Sequence, residues 1–344
     1  MDRDKLHETA KALVAEGKGI LAADESSGTI KKRFDAIGVE STEENRRAYR
    51  DLLFTTEGAG DYISGVILFD ETIRQSSADG TPFPKVLDER GIIPGIKVDQ
   101  GAKPLALAEN ETVTEGLDGL GQRLEEYGRL GARFAKWRAV LSIDGDHIPS
   151  DYAIWTNAHA LARYAALSQE QGLVPIVEPE VLMDGTHTVE RAYSVTSRTL
   201  QAVFTELYDQ RVDFEGMLLK PNMVLPGYDA QEQASHEEIA RMTITCFKRT
   251  VPAAVPGVVF LSGGQTDEDA TARLNAMNAL GEDLPWQLSF SYGRALQAAA
   301  QKAWGGNADN RDTAQRAFYH RAKMNSAART GTYAPEMERE AVTA

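Results

Sequence analysis

The stretch Gly216-Met-Leu-Leu-Lys220-Pro-Asn-Met-Val224 decides how the rest of the chain is read. Met217, Leu218 and Leu219 form a short apolar run suited to a buried strand, and Pro221, which has no N–H to give a ladder, stops it. Lys220 is left at the carboxyl end of that run. A buried ammonium is costly and shifts readily toward the free amine, and a free amine attacks carbonyls. A lone lysine at a strand end is more often an ion-pair partner, so its neighbours decide.

Working outward, short apolar runs recur at 19–23, 63–69, 92–98, 134–143, 174–177, 216–219, 257–261 and 287–290, each ending in polar residues or glycine. Helical patterns fill the gaps. Residues 151–171, 187–211 and 292–304 carry the 3.6-residue apolar period, and Ser41-Thr-Glu-Glu44 and Ser235-His-Glu-Glu238 read as capping boxes. Gly131, Gly172, Gly281 and Gly305 stand where C-caps belong. Eight alternating strand and helix units predict a single-domain α/β protein, a (β/α)8 TIM barrel over about 19–305, in preference to an open doubly wound sheet. An extra helix is expected before the barrel and a flexible polar tail from about Gly331.

Reactive groups of a parallel barrel come from the carboxyl ends of several strands. Here those ends carry Asp24, Lys97 with Asp99, Lys136 with Arg138, Glu178 with Glu180, and Lys220. Strand alternation puts the members of each pair on one face. If that face points inward, the charges converge above the barrel core. Facing outward, they would be buried unpaired against helices at prohibitive cost. So many inward charges exceed what structural pairing needs and mark a catalytic site. The seventh strand ends in Ser262-Gly263-Gly264 and the eighth in Ser291-Tyr-Gly293-Arg294. Glycine N–H groups, a helix N-terminus and a guanidinium suit a phosphate. Ser26, Thr29, Arg33 and Lys97 suit a second phosphate on the other side of the mouth.

Composition narrows the class. The 344 residues carry a net charge of -14 and a pI near 5.0, which argues against a nucleic-acid or anionic-membrane binder. Cys246 is the only cysteine, so an intrachain disulfide is impossible. No apolar run approaches a membrane span or resembles a signal peptide, and cytoplasmic residence is expected. Nucleotide fingerprints, a Gly-x-Ser-x-Gly elbow and zinc-type histidine spacing are all missing, so no cofactor and no metal is expected. Asp144-Gly-Asp146-His147 fails as a calcium loop because Ile148 stands at the next ligand position.

These segments resemble the class I, Schiff-base-forming fructose-1,6-bisphosphate aldolases. The likeness rests on Gly19-Ile-Leu-Ala-Ala-Asp-Glu-Ser26, Thr42-Glu-Glu-Asn-Arg-Arg47, Phe134-Ala-Lys-Trp-Arg138, Val174-Pro-Ile-Val-Glu-Pro-Glu180, Leu218-Leu-Lys-Pro-Asn-Met-Val224, Phe260-Leu-Ser-Gly-Gly-Gln265 and Phe290-Ser-Tyr-Gly-Arg-Ala-Leu296. The resemblance implies a metal-independent lyase that cleaves fructose 1,6-bisphosphate reversibly to dihydroxyacetone phosphate and glyceraldehyde 3-phosphate. It implies that Lys220 forms the Schiff base and that Glu178, Lys136 and Asp24 handle protons and charge, with the division between the two carboxylates left open. It matches Ser262, Gly263, Gly293 and Arg294 to the phosphate beside the ketone, and Ser26, Thr29, Arg33 and Lys97 to the far phosphate. It also suggests a homotetramer. A related substrate such as sedoheptulose 1,7-bisphosphate is the nearest alternative. The chain departs from the family pattern in Thr29 and Gln100, where serine and lysine are common. It departs again at Ala344, where many animal members end in tyrosine; here Tyr333 is the last tyrosine.

Overall fold

A computed structural model describes residues 2–342. Its eight parallel strands are β1 (Gly19–Ala23), β2 (Ile63–Leu68), β3 (Ile93–Lys97), β4 (Phe134–Leu141), β5 (Val174–Val181), β6 (Leu218–Leu219), β7 (Gly257–Phe260) and β8 (Gln287–Tyr292). They pair in sequence order, and β8 returns to β1 through Ile20 opposite Ser291 and Leu21 opposite Tyr292, which closes the barrel. The expected strands are all present. β5 runs on through Val181, so Glu178 and Glu180 lie within the ladder, opposite Arg138 and Val140 of β4.

Among the described residues, ten longer helices accompany the strands: α1 (Arg3–Leu13), α2 (Ser27–Asp35), α3 (Glu43–Phe54), α4 (Leu120–Arg129), α5 (Asp151–Glu170), α6 (Val189–Asp209), α7 (His236–Thr250), α8 (Asp267–Asn278), α9 (Arg294–Trp304) and α10 (Arg311–Arg329). Ser235 caps α7 by accepting from the Glu238 N–H, as expected. The α3 start is one residue later than the Ser41 box predicts: Thr42 is the cap and accepts from the Asn45 N–H at 3.1 Å. Ser41 is instead committed through its carbonyl to Arg46. The pattern at 292–304 divides, because Tyr292 ends β8 and the helix begins at Arg294.

The barrel interior follows strand alternation. Ile20, Ile67, Ile93, Phe134, Val174, Ile176, Leu218 and Val259 point inward, and Leu6, Ala10, Leu13 and Val14 of α1 plug the amino-terminal end against them. Leu6, Ala10 and Leu13 share one face of α1 at the helical period. Space there is tight: a Cβ on Gly95 would lie 2.3 Å from the Phe134 ring. With that end sealed, the next inward positions along β1, β4, β5 and β6 are Asp24, Lys136, Glu178 and Lys220.

Two parts of the chain escaped the periodicity. Residues Ala102–Pro104 and Thr112–Thr114 form an antiparallel hairpin after β3. Thr114 and Thr112 donate their hydroxyls to the carbonyls of Arg138 and Val140, which extends the β4 edge. The C-terminal tail begins near Gly331, and its first part is tethered. Tyr333 is buried and Glu338 takes hydrogen bonds from Arg321 and the Tyr333 hydroxyl, with His320 Nε2 3.0 Å away. Thr343 and Ala344, where a terminal tyrosine would be sought, lie outside the described residues. No helix among the described residues is long and apolar enough to cross a membrane.

Candidate active site

The carboxyl ends of the strands open into a cavity of about 1000 Å³. Asp24, Ser26, Thr29, Arg33, Lys97, Lys136, Arg138, Glu178, Glu180, Lys220, Ser262, Gly263, Gly264, Ser291, Gly293 and Arg294 all line it.

At its floor, cations and carboxylates alternate. Lys220 Nζ is 3.2 Å from Glu178 Oε1, Lys136 Nζ is 3.2 Å from Glu178 Oε2, and Lys136 Nζ is 2.7 Å from Asp24 Oδ2. Lys220 and Glu178 are each 3% exposed and Lys136 is 4% exposed. Burial by itself would raise the Asp24 carboxyl, but the Lys136 ammonium, with Lys220 and Lys97 behind it, drives it well below the ordinary range. Burial opposes the charge on Glu178 as well, and Lys136, then Lys220 and Arg138, win, so its pKa is lowered. The Lys136 ammonium is disfavoured by burial and held by Asp24 and Glu178, with a net upward shift. These buried charges persist because each meets an opposite one. The Glu178 Oε2 contact with Lys136 is close without hydrogen-bond geometry. That oxygen and Ser291 Oγ are both buried with no hydrogen-bond partner among the described residues.

Above the floor, Lys97 reaches Asp99 Oδ1 at 2.7 Å and Arg138 pairs with Glu180. Asp99 Oδ2 accepts from the Arg138 N–H, which fixes the β3–β4 seam. Arg294 opens α9 and donates to the Gly263 carbonyl at 2.7 Å, tying the β7 and β8 loops together. Gly263 sits at φ +56°, a left-handed conformation that favours glycine.

The basic groups placed across the mouth do not stay together. Lys97 stays on the β3 side. Arg33 pairs with Glu25, and its Nη2 lies 3.7 Å from where a Cβ on Gly293 would be. Arg33 therefore stands beside the β8 loop instead of across from it, because closure makes the first and last strands neighbours. Glu25 is buried between Arg33, Arg50 at 2.5 Å and the Gln297 amide at 2.9 Å. Burial pushes its carboxyl up, and Arg50 and Arg33 bring it below its usual value.

Glu25, Arg74, Arg123, Met183 and Tyr228 line the cavity as well, beyond the residues expected there. Glu25 had a signal, since it lies inside the strand-one motif. Tyr228 had only its place in the loop after β6. Away from the cavity, His7, Asp213 and Glu215 bring metal-type donors together among the described residues, but Arg3 lies 3.4 Å from Asp213 and already serves that carboxylate.

Known proteins share this sequence and this fold. The family model of fructose-bisphosphate aldolase class-I matches residues 5–344. A protein of Xylella fastidiosa named "Probable fructose-bisphosphate aldolase class 1" is 62% identical over 334 residues, covering 97% of this chain and 99% of its own. "Fructose-bisphosphate aldolase 4, cytosolic" of Arabidopsis thaliana is 59% identical over 317 residues, covering 92% of this chain and 80% of its own. A solved fructose-bisphosphate aldolase from Plasmodium falciparum is 51% identical and superposes with a TM-score of 0.95, covering 96% of this chain and 95% of that one. The chain thus belongs to the class-I fructose-bisphosphate aldolase family, the lyases that reversibly cleave fructose 1,6-bisphosphate to dihydroxyacetone phosphate and glyceraldehyde 3-phosphate.

Proposed function

We propose that Lys220 is the Schiff-base lysine and that Glu178 moves its protons. The observation that carries this is Glu178 shared by two lysines, with Lys220 Nζ and Lys136 Nζ each 3.2 Å from one of its oxygens. Lys220 hands a proton to Glu178 Oε1, and the amine adds to C2 of the sugar. Proton transfer to the former carbonyl oxygen gives the carbinolamine. Glu178 then returns the proton to the C2 hydroxyl, which leaves as water and leaves an iminium. General acid help of this kind contributes about 10²–10⁴-fold.

The iminium is an electron sink. A carboxylate takes the proton of the C4 hydroxyl, the C4–O bond becomes a carbonyl, and the C3–C4 electron pair moves into the C2–C3 enamine. Glyceraldehyde 3-phosphate departs. Glu178, again a carboxylate after dehydration, is the base we favour, because Asp24 reaches Lys220 only through Lys136. Asp24, held ionised by Lys136, is suited to holding a substrate hydroxyl. Protonation of the enamine at C3 and hydrolysis of the iminium release dihydroxyacetone phosphate.

Ser262, Gly263, Gly264, Ser291, Gly293 and Arg294 would hold the phosphate beside the ketone. Ser26, Thr29 and Lys97 would hold the far phosphate with Arg33 between the two groups, and Arg138 and Glu180 would frame the sugar. Cytoplasmic residence and a homotetramer extend the same reading. Tyr152 and Trp155, exposed side by side on α5, offer apolar surface for assembly; light scattering tests the tetramer. The function is tested by adding dihydroxyacetone phosphate, reducing with borohydride and mapping the adduct. An adduct on the peptide holding Lys220 is expected. Folded protein with no adduct there would overturn the proposal.

A further inference from the structure

The loops after β5 and β6 are zipped together by backbone bonds. The Gly227 N–H donates to the His187 carbonyl at 2.8 Å, the Tyr228 N–H to Met183 at 2.9 Å and the Asp229 N–H to Gly185 at 3.0 Å. Position 227 has to be glycine for this, since a Cβ there would fall 2.1 Å from the Gly185 carbonyl oxygen. The zip places the Tyr228 ring against the Ser262–Gly264 loop. A Cβ on Gly264 would lie 2.7 Å from that ring, and one on Gly263 would lie 3.0 Å from the Met183 sulfur. The Tyr228 hydroxyl donates to that same sulfur at 3.0 Å. Tyr228 and Met183 thus make one wall against the loop, and both also line the cavity. In the loop itself, which also lines the cavity, the Ser262 and Gly263 N–H groups donate to nothing among the described residues. Such paired free donors beside a left-handed residue are anion-seeking.

We propose that Tyr228 is a positioning residue for substrate phosphate: its ring fixes the Ser262–Gly264 loop with its free N–H donors facing the cavity. This rests on the reading of that loop as the phosphate site beside the ketone. A loop ordered before binding loses less entropy when the anion arrives, so loss of the wall weakens phosphate-bearing ligands selectively. The ring matters more than its hydroxyl, because thioether sulfur is a weak acceptor.

The test compares borohydride trapping by dihydroxyacetone phosphate with trapping by dihydroxyacetone, which lacks the phosphate. It is run on the full chain and on Tyr228→Ala, Tyr228→Phe and Arg294→Ala, with melting temperatures recorded. Tyr228→Ala is expected to lower the phosphate-dependent preference about five-fold, and Tyr228→Phe to stay within about two-fold of the parent. In steady state, KM for fructose 1,6-bisphosphate should rise in Tyr228→Ala more than kcat falls. If Arg294→Ala loses the preference while Tyr228→Ala keeps it, the inference is overturned and the phosphate site stands. If neither variant loses it, the phosphate site falls and the inference with it. A loss in Tyr228→Ala that affects both ketones equally would reduce Tyr228 to a purely structural part and also overturn the inference.

Discussion

Replacing Lys136 with methionine tests the electrostatic logic of the cavity floor. Lys136 is 4% exposed and lies 2.7 Å from Asp24 and 3.2 Å from Glu178. Methionine keeps most of the volume and leaves two buried carboxylates, of which Glu178 keeps Lys220 as its partner and Asp24 keeps none among the described residues. Burial, already the largest single influence on both acids, is then opposed by much less positive charge. In the parent protein both pKa values are depressed below their unfolded values, near 3.8 for Asp24 and 4.5 for Glu178. Their contribution is therefore present above those values and is lost as pH falls through the folded ones. In Lys136→Met at least one carboxyl should rise above its unfolded value. The folded state then binds the extra proton, so the sign inverts: stability is greatest at low pH and declines as pH rises through the raised pKa. An uncompensated buried charge costs about 3–5 kcal/mol, the loss expected at pH 8. Recovery approaches about 1.4 kcal/mol per pH unit wherever that group is being protonated. Urea unfolding at pH 5 and pH 8 measures both quantities, with little change in the parent from these two acids over that window. A loss below about 1 kcal/mol at pH 8, or an equal loss at both pH values, would refute the reasoning.

Three further outcomes follow from the same geometry. Asp24→Asn should still yield the borohydride adduct while cleavage falls about 100-fold or more, whereas Glu178→Gln should lose adduct formation and cleavage together; identical behaviour of the two would undo the division of labour. Gly95→Ala drives a Cβ to 2.3 Å from the fully buried Phe134 ring and should cost about 1–3 kcal/mol in denaturant unfolding; an unchanged midpoint would mean that the barrel floor repacks freely. Burial raises the Glu338 carboxyl, but His320 and Arg321 bring it down to about 2, so its tether is complete above pH 4.5 and lost as pH falls toward 2. Because the cluster is partly open to water, Glu338→Gln should cost no more than about 1 kcal/mol at pH 7. The gap to the parent should close in acid, and a gap constant down to pH 2 would contradict this.

Much of this molecule could be read along the chain, because the signals that fix it are local. A strand declares itself by a few apolar residues and a stop, a helix by its period and caps, and strand alternation puts Asp24, Lys136, Glu178 and Lys220 on inward faces. What escaped was short and polar. The hairpin of Ala102–Pro104 with Thr112–Thr114 carries no apolar alternation, and its place is set by threonine hydroxyls meeting β4 carbonyls. The α3 cap was missed by one residue because Ser41 and Thr42 offer equivalent hydroxyls, and only the placement of Arg46 engages Ser41 elsewhere.

The sequence by itself determined the eight strand–helix units and the kinds of chemical group at their ends, since both depend on residues a few positions apart. Only the tertiary structure decided which of those groups meet. Barrel closure brought β8 beside β1, setting Arg33 against Gly293, and stagger across β4, β5 and β6 put one carboxylate, Glu178, within reach of two lysines. The zip between the β5 and β6 loops placed Tyr228 against the β7 loop. These contacts join residues far apart in the chain. Their geometry comes from packing and register summed over the whole barrel, which no local pattern encodes.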